Sequence, residues 1–221
     1  MASRRARGPS TRLRYSSYLI SLILVAISAA IVVFYSYGGV SQQFAEANLS
    51  ITTSLFFPSI VFSYLLYRKR TPGQIIGELG LSARGLTIRN LAIGVLIFLS
   101  ILALAVAFGL ISQDTGIQLP TNVGTLLSGM PLYFLVFASV VAPFNEEILF
   151  RGFLVGRIGV ILSALLFAAP HYVGYSSVSE FAAALVFGLI AGLVFKRTKS
   201  LYPSILAHVL INVLAVISLS L

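Results

Sequence analysis

Cysteine is absent from this 221-residue chain. No disulfide, thiolate nucleophile, cysteine-bound zinc or iron–sulfur cluster is therefore available to it. Charge is almost as scarce. Asp, Glu, Lys and Arg make up 10% of the residues and hydrophobic side chains 58%, against about 25% and roughly 45–50% in a soluble domain. So few charges cannot cover a water-facing surface. That much apolar side chain also exceeds what one soluble core of this size buries. A cytosolic globular enzyme, a disordered chain and a soluble nucleic-acid binder are excluded. Aspartate occurs once, as Asp114, among six acidic residues, and histidine twice.

What is present is long apolar runs, with a mean hydropathy of +0.99. Only helices and closed barrels satisfy their backbone inside lipid. Unbroken apolar runs lack the polar–apolar alternation of barrel strands, so the expected fold is an all-α polytopic membrane bundle. Seven spans are predicted, at about 15–37, 49–67, 88–112, 131–155, 157–175, 179–195 and 201–221, each near the roughly 17–25 residues a bilayer requires. The first run is too long for the core of a signal peptide, about 7–15 residues, and reads as an uncleaved helix. A basic cytoplasmic tail over 1–14 and a single transmembrane domain over 15–221 follow. All 15 Lys and Arg fall in the tail or beside the connections after spans two, four and six, and the other connections hold Glu46, Asp114 and Glu180 and no cation. This alternation predicts the N-terminus inside and the C-terminus outside. Residues 72–83 read as a short amphipathic helix at the cytoplasmic interface, and 113–129 as an outside loop. Gly152–Gly156 and Gly188–Gly192 have the spacing of close helix packing.

A few polar residues interrupt the later spans. Glu146, Glu147, Arg151, His171, His208 and Asn212 all lie within apolar runs. Ionised groups at mid-helix cost about 2.5–3.5 kcal/mol each, and such residues point to function when they face a bundle interior. Glu147 and Arg151 share a face at i,i+4, a favourable order for an ion pair. Glu146 is turned about 100° away and has Ala142 and Phe150, not cations, one turn to either side. His208 and Asn212 also stand at i,i+4, as do Phe167 and His171. Pro143 and Pro170 free backbone carbonyls nearby. At about 1.5 Å per residue, Glu146, His171, His208 and Asn212 fall roughly 10–21 Å from the cytoplasmic ends of their helices. One carboxylate, two imidazoles and one amide at a common depth suit the activation of water on a carbonyl.

Glu146-Glu147-x-x-x-Arg151, Phe167-x-x-x-His171 and His208-x-x-x-Asn212, in that order, resemble the three signature motifs of the CAAX protease and bacteriocin-processing (CPBP, or Abi) intramembrane endopeptidases. The resemblance covers about residues 130–221, the expected catalytic core. It implies an α-helical membrane endopeptidase with a cavity open to the cytoplasm, acting on a membrane-anchored protein or peptide that includes prenylated substrates, within the bilayer of the cell membrane and without nucleic acid. By position, Glu146 is the catalytic carboxylate and His171 helps it hold the water. His208 and Asn212 stabilise the oxyanion, and Glu147, Arg151 and Phe167 support the site. Zinc or another divalent metal on Glu146, His171 and His208, with water in the fourth place, is one chemistry this implies; metal-free general-base catalysis is the other.

Other intramembrane proteases fit poorly. The aspartyl type needs two Asp, the serine type a GxSG-like turn and the zinc type HExxH, and none of these occurs. A proton-coupled transporter also uses membrane carboxylates and histidines. Transporters are usually built from repeats, whereas here the buried ionisable residues all lie between 146 and 208. A non-catalytic immunity or scaffold member of the same family is the third reading.

Overall fold

The computed structural model describes residues 9–115 and 123–220. Among these residues all regular structure is helical. The first eight residues of the basic tail and residues 116–122 of the expected outside loop lie outside the described residues.

Hydroxyl caps begin several helices. The side chains of Ser10, Ser41 and Ser177 accept backbone N–H groups at the starts of α1 (Thr11–Ser36), α2 (Gln42–Tyr67) and α7 (Val178–Thr198). Such a cap satisfies one of the donors that a helix start leaves unpaired. Thr71 and Gln74 form a capping box on the short α3 (Pro72–Glu78), with proline in its first turn. The expected interfacial helix ends at Glu78, earlier than residue 83, because Gly80 turns to φ +75°. α4 (Ile88–Thr115), α5 (Val123–Ser128), α6 (Leu132–Tyr175) and α8 (Tyr202–Ile217) complete the set.

Five of these, α1, α2, α4, α6 and α7, are long and apolar enough to cross a membrane, and α8 is a shorter apolar helix of 16 residues. α6 runs for 44 residues and contains two of the seven expected spans. Gly159, at φ +83° and ψ 173°, divides it into an outgoing and a returning arm. That conformation is essentially restricted to glycine. The division falls at Gly159, slightly later than the expected boundary around residue 156.

Small and hydroxylated residues bring the helices together, as suits packing in lipid. α1 docks antiparallel on α2, with Ser21 Oγ donating to Ser59 Oγ at 3.1 Å and Ser28 Oγ to Thr52 Oγ1 at 2.8 Å. α7 packs on the returning arm of α6. A Cβ on Gly188 would stand 3.0 Å from that of Ala164, and one on Gly192 2.8 Å from Val160 Cγ1. One buried cluster gathers Leu65, Ile75, Leu79, Val155, Phe195 and Leu201 near the basic helix ends. A second, around Phe150, Phe167, Phe187 and Ala207, lies beside the polar residues of the later helices.

Candidate active site

The outgoing arm of α6 is not uniform. Pro143 has no N–H, and its ring crowds the carbonyl four residues back. Immediately before it, residues Phe137–Val141 form a π turn, in which the Ala142 N–H bonds the carbonyl of Phe137. The Ala138 carbonyl is thereby released, and Asn212 Nδ2 donates to it at 2.9 Å. A second π turn, Ile148–Leu154, directly follows the two glutamates. Its Phe150 carbonyl accepts Ser163 Oγ from the returning arm at 2.6 Å. Such widened turns often mark functional sites.

Glu146 and Glu147 lie between these two turns and meet different surroundings. Glu147 is fully buried. Arg151 Nη1 donates to its Oε1 at 2.8 Å, and His208 Nδ1 lies 3.1 Å from the same oxygen. A carboxylate accepts, so Nδ1 carries the hydrogen. Arg151, also fully buried, holds its guanidinium carbon 4.1 Å from the centre of the Phe167 ring and 5.0 Å from that of Phe187. Desolvated cation–π contacts of this kind offset part of the cost of burying the charge. Glu147 Oε2 and Arg151 Nη2 have no hydrogen-bond partner among the described residues. Glu146 keeps 23% of its side chain exposed, and its Oε2 lies 3.8 Å from His208 Nε2. His208 therefore bridges the two glutamates, one with each ring nitrogen.

His171 has its Nδ1 2.9 Å from the Phe167 carbonyl, which only accepts, so its Nε2 is left outside that bond. Its ring stacks 4.8 Å from Phe167 and lies 6.2 Å from Tyr175. The structure thus gathers Glu146, Glu147, Arg151, Phe167, His171, His208 and Asn212 from α6 and α8 into one region. Two arrangements differ from the sequence expectation. The imidazole nearest Glu146 is that of His208, where the sequence favoured His171 as the partner for its water. The Asn212 amide is spent in part on Ala138, where the sequence aimed it at an oxyanion.

Zinc held by protein needs at least three donors around one point. Among the described residues no three His, Asp or Glu side chains come together closely enough to hold a metal. Glu146 and His208 converge, and His171 does not complete the set, so the expected trio does not fit a metal in this arrangement.

Three neighbours escaped the sequence reading. Asn145 is buried and donates through Nδ2 to Ser54 Oγ of α2 at 3.2 Å, fixing the segment that carries both glutamates. An amide inside an apolar run was the available signal. Phe187, on α7, lies against both Arg151 and His208. Neither it nor Ser54 stands in any motif.

Residues 127–214 match the family model of type II CAAX prenyl endopeptidases, Rce1-like. The matched stretch runs from the end of α5 into α8 and includes every residue of the constellation. The uncharacterized protein YpbD of Bacillus subtilis (strain 168) is 32% identical over 78 residues, 35% of this chain and 41% of that protein. The chain thus spans about two fifths of the length of this curated relative. No solved structure matches. The resemblance carried by the three motifs is borne out over residues 127–214, and the chain is an integral membrane protein.

Proposed function

We propose that this protein is a membrane endopeptidase in which Glu146 activates water against a peptide bond of a membrane-anchored protein or peptide, prenylated substrates included. The observation that carries this reading is the contrast between adjacent glutamates. Glu147 is sealed by Arg151 and His208, while Glu146 remains partly accessible, 3.8 Å from His208 Nε2. With the Nδ1 hydrogen held by Glu147, Nε2 of His208 is left to face Glu146 and the water. A water between Glu146 and His208 gives one hydrogen bond to each and turns its oxygen toward the substrate carbonyl. Glu146 takes the proton as the carbon–oxygen bond forms. It returns that proton to the amine nitrogen as the carbon–nitrogen bond breaks. His171 is the second imidazole of the site. The free hydrogen of Asn212 Nδ2 is the proposed donor to the carbonyl oxygen, and the site opens toward the cytoplasm.

This scheme routes no step through a metal, since Glu146 and His208 alone are too few donors. Cleavage of a membrane-associated prenylated peptide by purified wild type and Glu146→Gln tests it. General-base catalysis contributes about 10²–10⁴-fold, so Glu146→Gln is expected to lose that much turnover while melting like wild type. An active Glu146→Gln overturns the mechanism. Turnover is expected to survive chelation; loss restored by zinc would place a metal in the site.

The transporter reading has less support. It requires a relay through the bundle, and the buried ionisable groups form one cluster within the region matched by the peptidase family.

A further inference from the structure

A second polar site lies away from the glutamates, where several helices end. Glu78, the last residue of α3, is shared by two arginines. Arg70 Nε, past the end of α2, is 3.3 Å from one carboxylate oxygen. Arg157 Nη2, near the end of the outgoing arm of α6, is 2.8 Å from the other. Two cations on one carboxylate leave a net positive charge. Lys199, past the end of α7, adds another and has no ion-pair partner among the described residues. Between them is a groove of about 460 Å³, lined by Glu78, Arg157 and Lys199 together with glycines and Phe195. Its floor is open because glycines form it: a Cβ at Gly77 or Gly156 would meet nothing within 4 Å.

The cation on one wall is already fixed. Arg157 Nη1 donates to the Phe153 carbonyl at 2.7 Å, and its guanidinium carbon stands 3.7 Å from the centre of the Phe153 ring. A guanidinium has five N–H donors, so three remain after the bonds to Glu78 and Phe153. Lost side-chain freedom is a large cost of binding, and for Arg157 it falls on folding instead. These charges sit where apolar helices end, and the ends of helices that cross a bilayer meet its headgroups. Ile76, Ile158 and Ile161, close in sequence to the groove residues, are exposed, as suits contact with acyl chains.

We propose that this groove binds the phosphate of an anionic phospholipid. A phosphate diester offers the acceptor oxygens that Arg157 and Lys199 lack, and its glycerol backbone needs the room the glycines leave. Arg157 and Lys199 line the groove with Glu78, and Arg70 pairs with Glu78 from beside it; that balance favours an anionic over a zwitterionic headgroup. The proposal is independent of the peptidase reading.

Short-chain phosphatidylglycerol is titrated into the detergent-solubilised full chain, followed by thermal melt and native mass spectrometry. Phosphatidylcholine and inorganic phosphate serve as parallel arms. Lys199→Asn removes the uncommitted cation, and asparagine tolerates the left-handed backbone at that position, φ +55°. Its affinity for phosphatidylglycerol is expected to fall about fivefold, the equivalent of the roughly 1 kcal/mol that one cation contributes near an anionic surface. Gly156→Leu fills the groove with no change of charge and is expected to lose at least as much. Gly77→Leu fills it from α3 should Gly156→Leu melt below wild type without lipid. Lys196→Gln, which removes an exposed cation outside the groove, is expected to bind as wild type. Equal losses in Lys196→Gln, unaltered binding by the filled variants, equal affinity for phosphatidylcholine, or full stabilisation by inorganic phosphate would each overturn the proposal.

Discussion

Among the described residues, Arg151 is the most deeply committed cation. It is buried against two aromatic rings, and its one acidic partner, Glu147, also holds His208. Removing one partner of a buried pair leaves an uncompensated charge, which costs about 3–5 kcal/mol. Arg151→Ala is therefore expected to lower the melting temperature of the detergent-solubilised protein sharply. Glu147→Gln combined with Arg151→Gln should recover part of that loss, because no lone charge is left behind. Arg151→Ala with an unchanged melt but no cleavage would instead make Arg151 a substrate contact. Glu147→Gln alone should weaken the fold yet keep partial turnover, since the amide oxygen still accepts from His208 Nδ1. The different fates of Glu146 and Glu147 were legible in the sequence, because adjacent helical residues point about 100° apart and only Glu147 has a cation one turn away. The bridge made by His208 was not. It joins residues 61 positions apart, and spacing along one helix says nothing of contacts between helices.

Within the elements, irregular backbone does the positioning. The π turn before Pro143 frees the Ala138 carbonyl, and Asn212 on α8 takes it up, tying the last helix to the arm that carries Glu146. Asn212→Ala leaves that carbonyl unpaired, at about 1–3 kcal/mol if no water replaces the amide. A small displacement of Glu146 costs turnover as well, on the order of 10²-fold per ångström. Both the melt and the cleavage rate are expected to fall. A fall in rate with an unchanged melt would return Asn212 to the purely oxyanion role expected from sequence. Gly159 allows a cleaner test. A Cβ there meets nothing within 4 Å, yet φ is +83°, so the cost of Gly159→Ala is backbone strain alone, of order 1–3 kcal/mol. Gly156→Ala, three residues earlier in helical backbone, should melt like wild type. Equal melts for both variants would mean that the reversal does not depend on glycine at 159. The apolar helices were readable because each is a long hydrophobic run. The π turns were not readable, since proline announces a disturbance without fixing its form.

Across the whole molecule, helix ends collect into two faces. On one, Glu78 joins the ends of α2 and of the outgoing arm of α6. Leu201 N–H donates to the Gly80 carbonyl at 3.0 Å and Tyr202 Oη to that of Leu81 at 3.0 Å, bringing the start of α8 to the same place. The antiparallel pairing of α1 with α2 puts Arg12 and Arg14 on this face too. On the other, Asn48 Nδ2 donates to Tyr133 Oη at 3.0 Å, joining α2 to the start of α6. Apart from the buried Arg151, the described cations thus sit on one face, the asymmetry that directs orientation during insertion. We therefore expect the N-terminus in the cytoplasm and the C-terminus outside. The short helix is α8, whose 16 residues span only roughly 24 Å at 1.5 Å per residue, less than the hydrocarbon thickness of about 30 Å. A compartment-sensitive reporter fused before Met1 should read cytoplasmic, and one fused after Leu221 should read outside. A cytoplasmic reading after Leu221 would mean that α8 enters the bilayer without crossing it, leaving His208 and Asn212 on a re-entrant helix and lowering the crossing count by one.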